Sequence, residues 1–205
     1  MIFLRGETIR MSNQGVDKGR RNLLIGATSA VGAVGVIGAA VPFVRSWAPS
    51  EKAQSAGAPV EYDYSKLEMG QQVTVEWRGK PVWVMRRDQS MLSTITQSNG
   101  LVADPDSEAE QQPANCKNEY RSVDPEIFVA VGLCTHLGCS PKLYADAGSL
   151  DGDWLGGFYC PCHGSKFDLA GRVYSGVPAN ANLEVPPYVL DTAAKTVKIG
   201  VEGDA

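Results

Sequence analysis

The chain has 205 residues, 19 Lys+Arg against 23 Asp+Glu, a net charge of -4 and 43% hydrophobic residues, with 22 Gly and 12 Pro. This balance describes a globular protein of modest size with many turns, and excludes disorder and collagen-like repeats. Mild acidity without any Lys/Arg-rich block excludes a nucleic-acid reader, and the two histidines, His136 and His163, each stand within three residues of cysteines.

In chain order, residues 1–22 read as a cytoplasmic segment containing Arg5, Arg10, Lys18, Arg20 and Arg21. Residues 23–44, LLIGATSAVGAVGVIGAAVPFV, hold no charge, and as a helix rising about 1.5 Å per residue they cover roughly 33 Å, the thickness of a hydrocarbon core. They are too long for the apolar core of a cleavable signal peptide. Gly32, Gly35 and Gly38 keep small residues near one face, where a partner helix is able to approach. Only Arg45 follows immediately, so the basic excess lies before the span and predicts an N-terminus inside and the remainder outside. Arg20-Arg21 before Asn22-Leu23-Leu24 resembles a twin-arginine export signal without the usual Ser/Thr in front of it, and that route carries folded, cofactor-loaded proteins.

Residues 45–58, RSWAPSEKAQSAGA, suit a flexible tether, with a partly helical stalk over Glu51–Ala58 as the alternative. From Pro59 the pattern turns to short alternating runs over residues 59–205, enough for one all-β domain with its own core. Val73–Trp77 and Val82–Met85 around Arg78-Gly79-Lys80 predict a hairpin; Ile127–Val131, Gly157–Tyr159, Tyr188–Leu190 and Thr196–Val201 predict further strands. No long amphipathic helix is expected there. Residues 101–126 read as a polar surface loop with a short helical piece near Ser107–Gln111.

Two segments carry chemistry: Cys134-Thr135-His136-Leu137-Gly138-Cys139 and Cys160-Pro161-Cys162-His163-Gly164-Ser165. Each offers a thiol and an imidazole a few residues apart beside a glycine that lets the backbone fold tightly, so two loops are able to clamp one centre. A tetrahedral Cys2His2 zinc site needs the same ligand types but leaves two cysteines without a use. Cys116 has no evident partner and reads as a free, partly buried thiol.

These boxes are similar to the two cluster-binding loops of Rieske iron–sulfur proteins of cytochrome bc1 complexes, and the likeness runs from the anchor to the last strands. The resemblance implies a Rieske-type antiparallel β domain with a cluster-binding part at about 131–179, behind one N-terminal transmembrane helix. It implies one [2Fe–2S] cluster, with Cys134 and Cys160 on one iron and His136 and His163 on the other, and a Cys139–Cys162 disulfide. Four thiolates would leave the oxidised cluster negatively charged, whereas two thiolates and two neutral imidazoles leave it neutral, so an electron enters more easily. Each imidazole also keeps a ring nitrogen able to carry a proton near neutral pH.

The resemblance further assigns quinol contact to His163, shielding of the cluster to Leu137, and a hydrogen bond to a cluster sulfide to Ser165. Gly176-Val177-Pro178-Ala179 resembles the proline-containing loop that covers the cluster from a third side, and Pro178 belongs to the cluster environment on that reading. Phe167 departs from the family, many of whose members carry a Tyr there that donates to a ligand sulfur, which implies a lower potential in this chain. The implied function is the Rieske subunit of a respiratory quinol–cytochrome c oxidoreductase, catalytic and contributing to proton translocation. Its implied partners are a cytochrome b subunit, a c-type cytochrome subunit, ubiquinol and membrane lipid in a dimeric complex, with the head on the periplasmic side of a bacterial inner membrane. A soluble dioxygenase-type ferredoxin and the small subunit of arsenite oxidase are the rivals. The first normally lacks the second cysteine of each loop and an anchor; against the second stand the long anchor and the Val185-Pro186-Pro187-Tyr188 strand entry.

Overall fold

Asp17 decides where the first helix starts. Its carboxylate accepts hydrogen bonds from the Gly19 and Arg20 amides at 2.9 and 3.2 Å, capping α1 (Lys18–Arg45) five residues before the apolar run begins. The computed structural model describes residue 15 and residues 17–203; Arg5 and Arg10, counted toward the basic excess, lie outside them. All of α1 is exposed, including Leu23, Val31, Val34 and Phe43, and it is long and apolar enough to cross a membrane.

The chain divides after Ser50, and each part is compact by itself. The second part opens with α2 (Glu51–Ala56), so the stretch read as a tether is helical over much of its second half, as the stalk alternative allowed. Among the described residues nine strands follow: β1 (Val60–Asp63), β2 (Gln72–Trp77), β3 (Lys80–Arg86), β4 (Ile127–Val131), β5 (Lys142–Tyr144), β6 (Gly157–Tyr159), β7 (Lys166–Phe167), β8 (Tyr188–Asp191) and β9 (Thr196–Ile199). They form three antiparallel three-stranded sheets, ordered β1-β9-β8, β2-β3-β4 and β5-β6-β7.

The predicted hairpin is present, with Trp77 opposite Lys80 and Arg78-Gly79 at the tip. Both tip residues have positive φ, 51° and 71°, the backbone of a type I′ turn whose twist matches that of the strands. Strands β3 and β4 join two apolar cores because successive side chains point to opposite faces. Val82, Val84, Ile127, Val129 and Val131 enter one core with Trp77, Val185, Tyr188, Val197 and Ile199. Trp83, Met85, Phe128 and Ala130 enter the other, which also holds Phe158, Phe167 and two of the box cysteines, Cys134 and Cys160. Each large side chain buried there contributes about 1.5–3 kcal/mol.

One short helix was not foreseen and another was misplaced. No long amphipathic helix occurs among the described residues of the head, but a nine-residue one, α3 (Gln89–Gln97), does, capped by Asp88 and burying Met91, Leu92 and Ile95 in the second core. Its sequence, QSMLSTITQ, is Ser/Thr-rich, and tertiary burial outweighs that weak propensity. Residues 107–111 are not helical: the Asp104 carboxylate takes the Glu108 and Ala109 amides at 2.9 and 3.2 Å, offering the backbone an alternative to a helical turn. The helical turn falls at Ala114–Cys116 instead. Nor is this stretch all surface, since Val102, Ser107, Cys116, Arg121 and Ser122 are buried.

Candidate metal centre

The two boxes sit on loops with the same wiring. After β4, Cys134 donates its amide to Cys139 O at 2.7 Å and accepts the Gly138 amide at 2.9 Å. Between β6 and β7, Cys160 donates to Ser165 O at 2.8 Å and accepts the Gly164 amide at 3.0 Å. Both turns close only because their glycines adopt φ of 81° and 80°, the left-handed region that costs a side-chain-bearing residue about 1 kcal/mol or more. Cys134 corresponds to Cys160, and Cys139 to Ser165.

The wiring sorts the side chains by depth. Cys134 and Cys160 are 3% and 2% exposed in the apolar core, His136 is half-buried, and His163, Leu137 and Pro161 lie on the surface. The two imidazoles meet edge to face with ring centres 4.7 Å apart. Cys139 and Cys162 form a disulfide that ties one loop to the other. The sulfurs of Cys139, Cys160 and Cys162 lie within 4.8 Å of one another, but the disulfide consumes two of them and leaves Cys160 as the free thiol of that group.

Residues 176–179 reach the same place from a third side. The Ala179 amide donates to Ser165 Oγ at 3.0 Å, and Ser165, fully buried, also hydrogen-bonds the Cys134 thiol. Pro178 is exposed at the tip of this stretch. Phe167 is fully buried opposite Phe158, in the core that contains Cys134 and Cys160, and it has no donor to offer their sulfurs. One contact was not anticipated: Thr135, between the first cysteine and histidine, donates its hydroxyl to Ala181 O at 2.6 Å and so clamps the first loop to the third. Nothing in local sequence marks this pairing, which spans 46 residues.

The donor set fits a metal cluster. Burial, and Cys160 beside it, push the Cys134 thiol up, so an ionised sulfur there needs a cation. His136 Nδ1 is buried with no hydrogen-bond partner, the condition of an imidazole nitrogen reserved for a metal. Soft sulfur and borderline imidazole nitrogen suit iron–sulfur chemistry.

Three antiparallel sheets and twin Cys/His loops joined by a disulfide define a Rieske-type iron–sulfur protein, and residues 107–188 match the family described as the Rieske [2Fe-2S] domain. Residues 10–50 match a second family, the TAT signal of the ubiquinol–cytochrome c reductase Fe-S subunit. The chain is 56% identical over 191 residues to the ubiquinol-cytochrome c reductase iron-sulfur subunit of Allochromatium vinosum, covering 92% of each. It is 43% identical to that of Rhodospirillum rubrum, covering 92% of this chain and 96% of the other. Among solved structures it is similar to a chain of a hyperthermophilic respiratory Complex III, with 28% identity, a TM-score of 0.46 and coverage of 83% and 96%. The chain belongs to the family of ubiquinol–cytochrome c reductase iron–sulfur subunits and carries one Rieske [2Fe–2S] cluster. The ferredoxin and arsenite oxidase readings give way to this one.

Proposed function

We propose that this chain is the mobile electron carrier of a quinol–cytochrome c oxidoreductase. Residues 1–22 remain in the cytoplasm, 23–44 span a bacterial inner membrane, 45–58 tether the head, and 59–205 form it on the periplasmic side, with the cluster held by residues 131–179. Cys134 and Cys160 would hold one iron, and His136, whose Nδ1 is buried without a partner, and His163 would hold the other. When bound, the [2Fe–2S] cluster supplies a one-electron acceptor with a potential raised by its two neutral ligands.

The residues then divide the work. His163, exposed at the tip, presents its outer imidazole nitrogen to ubiquinol at the cytochrome b subunit, accepts the hydroxyl hydrogen bond and retains the proton that leaves with the electron. Leu137 and Pro161 surround it with apolar surface that excludes water from that contact. The same face then meets the c-type cytochrome subunit, where the electron leaves and His163 releases its proton to the periplasmic side. The tether carries one head between two sites within a dimeric complex, and lipid surrounds the anchor.

A single observation carries this reading: twin loops with identical wiring bury two thiols and leave one of two imidazoles exposed. The test is turnover of the assembled complex with quinol and cytochrome c after placing several prolines between Ala48 and Gly57. Turnover should fall while the cluster spectrum stays the same; unchanged turnover contradicts the moving head.

A further inference from the structure

Among the described residues four fully buried side chains carry charge: Arg87, Arg121, Arg172 and Asp168. Arg172 and Asp168 neutralise each other, with Nε to Oδ2 at 2.7 Å. The other two have only neutral hydrogen-bond partners. Arg87 donates to the carbonyls of Pro125, Tyr120 and Leu169 and to Ser122 Oγ, at 2.7–3.1 Å, with its guanidinium 5.0 Å from the centre of the Phe128 ring. Arg121 donates to the carbonyls of Ala170, Gly171, Leu183 and Gln111 and to Gln112 Oε1. The nearest other carboxylates, Asp124 toward Arg87 and Asp104 toward Arg121, are only half-buried and hold backbone amides.

Burial lowers both guanidinium groups to about 10, so they remain protonated at neutral pH. Three fully buried guanidinium groups against one fully buried carboxylate, Asp168, which acts on both Arg87 and Arg121, leave an excess of buried positive charge in the lobe that contains Cys134 and Cys160. Leu169, Ala170 and Gly171, three of the residues whose carbonyls Arg87 and Arg121 bind, lie just beyond β7, and Phe167, Leu169 and Ala170 share one core with Cys134 and Cys160. On the other side the Phe128 ring over Arg87 lies 6.1 Å from Phe158, two residues before Cys160.

We propose that Arg87 and Arg121 are positioning residues that act through their charge, raising the potential of the cluster, and that Asp168 is the counter-charge limiting the rise. This deepens the reading of the site as a Rieske centre and rests on it. An electron entering the cluster adds negative charge, which a buried cation stabilises with little screening by salt. As a general scale, a unit charge on the order of 15 Å from a redox centre, at an effective dielectric near 20, changes its reduction equilibrium about sixfold.

The experiment is a redox titration of the purified full-length protein at pH 6, followed by circular dichroism of the cluster at low and high salt. Arg121→Gln should weaken reduction several-fold, and Asp168→Asn should strengthen it by a similar factor, at both salt concentrations. Arg121→Lys, which keeps the charge, should stay near the parent. Arg87→Met should move in the same direction as Arg121→Gln and replaces it if that variant fails to fold. Shifts of one sign in the Asp and Arg variants, no shift in a protein with an unaltered cluster spectrum, or a loss in Arg121→Lys equal to that in Arg121→Gln overturns the proposal. A parent protein without any cluster signal would instead count against the ligand assignment on which the proposal rests.

Discussion

The loops at 134–139 and 160–165 share a backbone and differ in what hangs from it. Both are closed by the same pair of amide bonds and the same left-handed glycine. At the last position the first has Cys139, spent in the disulfide, whereas the second has Ser165, whose hydroxyl takes the Ala179 amide of the third segment. At the imidazoles the asymmetry is greater: His136 is half-buried with an unpartnered Nδ1, and His163 is exposed. A duplicated backbone thus places one buried cysteine at the same position of each loop, while the imidazoles stand at positions offset by one, His136 opposite Cys162 and His163 opposite Leu137.

Removing a ligand breaks both loops alike. His136→Ala and His163→Ala should each abolish the visible and paramagnetic signature of the cluster, despite their different exposure. A cluster retained in either variant would contradict the proposed ligand set. Next in size is the bridge between the loops. Cys139→Ala with Cys162→Ala removes a crosslink across 23 residues and should cost about 3 kcal/mol in reversible unfolding of the head. A loss near zero would show that the loops hold their relative position without it.

The glycines test the shared wiring itself. Gly138→Ala and Gly164→Ala each place a Cβ on a left-handed backbone, at φ of 81° and 80°, with no contact closer than 3.9 Å. Each should therefore lower stability by a similar amount, about 1 kcal/mol, through strain alone. Clearly unequal losses would mean that the two turns are not equivalent. A smaller, finer difference separates the two hydroxyls that clamp the third segment. Thr135→Val and Ser165→Ala each lose a hydrogen bond worth about 1 kcal/mol. Only Ser165→Ala should also lower the cluster potential, because Ser165 alone touches a ligand sulfur. The smallest expected change is an upward shift of potential in Phe167→Tyr, which adds a donor within the core of the ligand cysteines; no upward shift would remove that explanation.

Legibility followed the range of the interactions. The anchor, the hairpin at Arg78-Gly79 and strands such as Ile127–Val131 were readable because period and turn chemistry are local. The twin boxes were readable because ligand spacing is local as well, and the resemblance supplied the disulfide partners. Helix α3 was not, since Ser and Thr weaken the helical signal and only its burial of Met91, Leu92 and Ile95 justifies it. The segment at 101–126 looked like solvent-facing loop because its composition is polar. Arg121 reverses that by finding six carbonyl and amide contacts, some of them 49–62 residues away, that no local pattern announces. Thr135 to Ala181 is hidden for the same reason.

On the proposed ligand set, one exposed and one half-buried imidazole, with two buried thiolates, hold a high-potential cluster. The direct measurement is the electron paramagnetic resonance spectrum of membranes containing the protein after mild reduction with ascorbate. A rhombic signal with average g distinctly below 2, absent in His163→Ala, is the predicted result. Silence under ascorbate with a signal only under dithionite would place the carrier at low potential, outside quinol oxidation, and contradict the account.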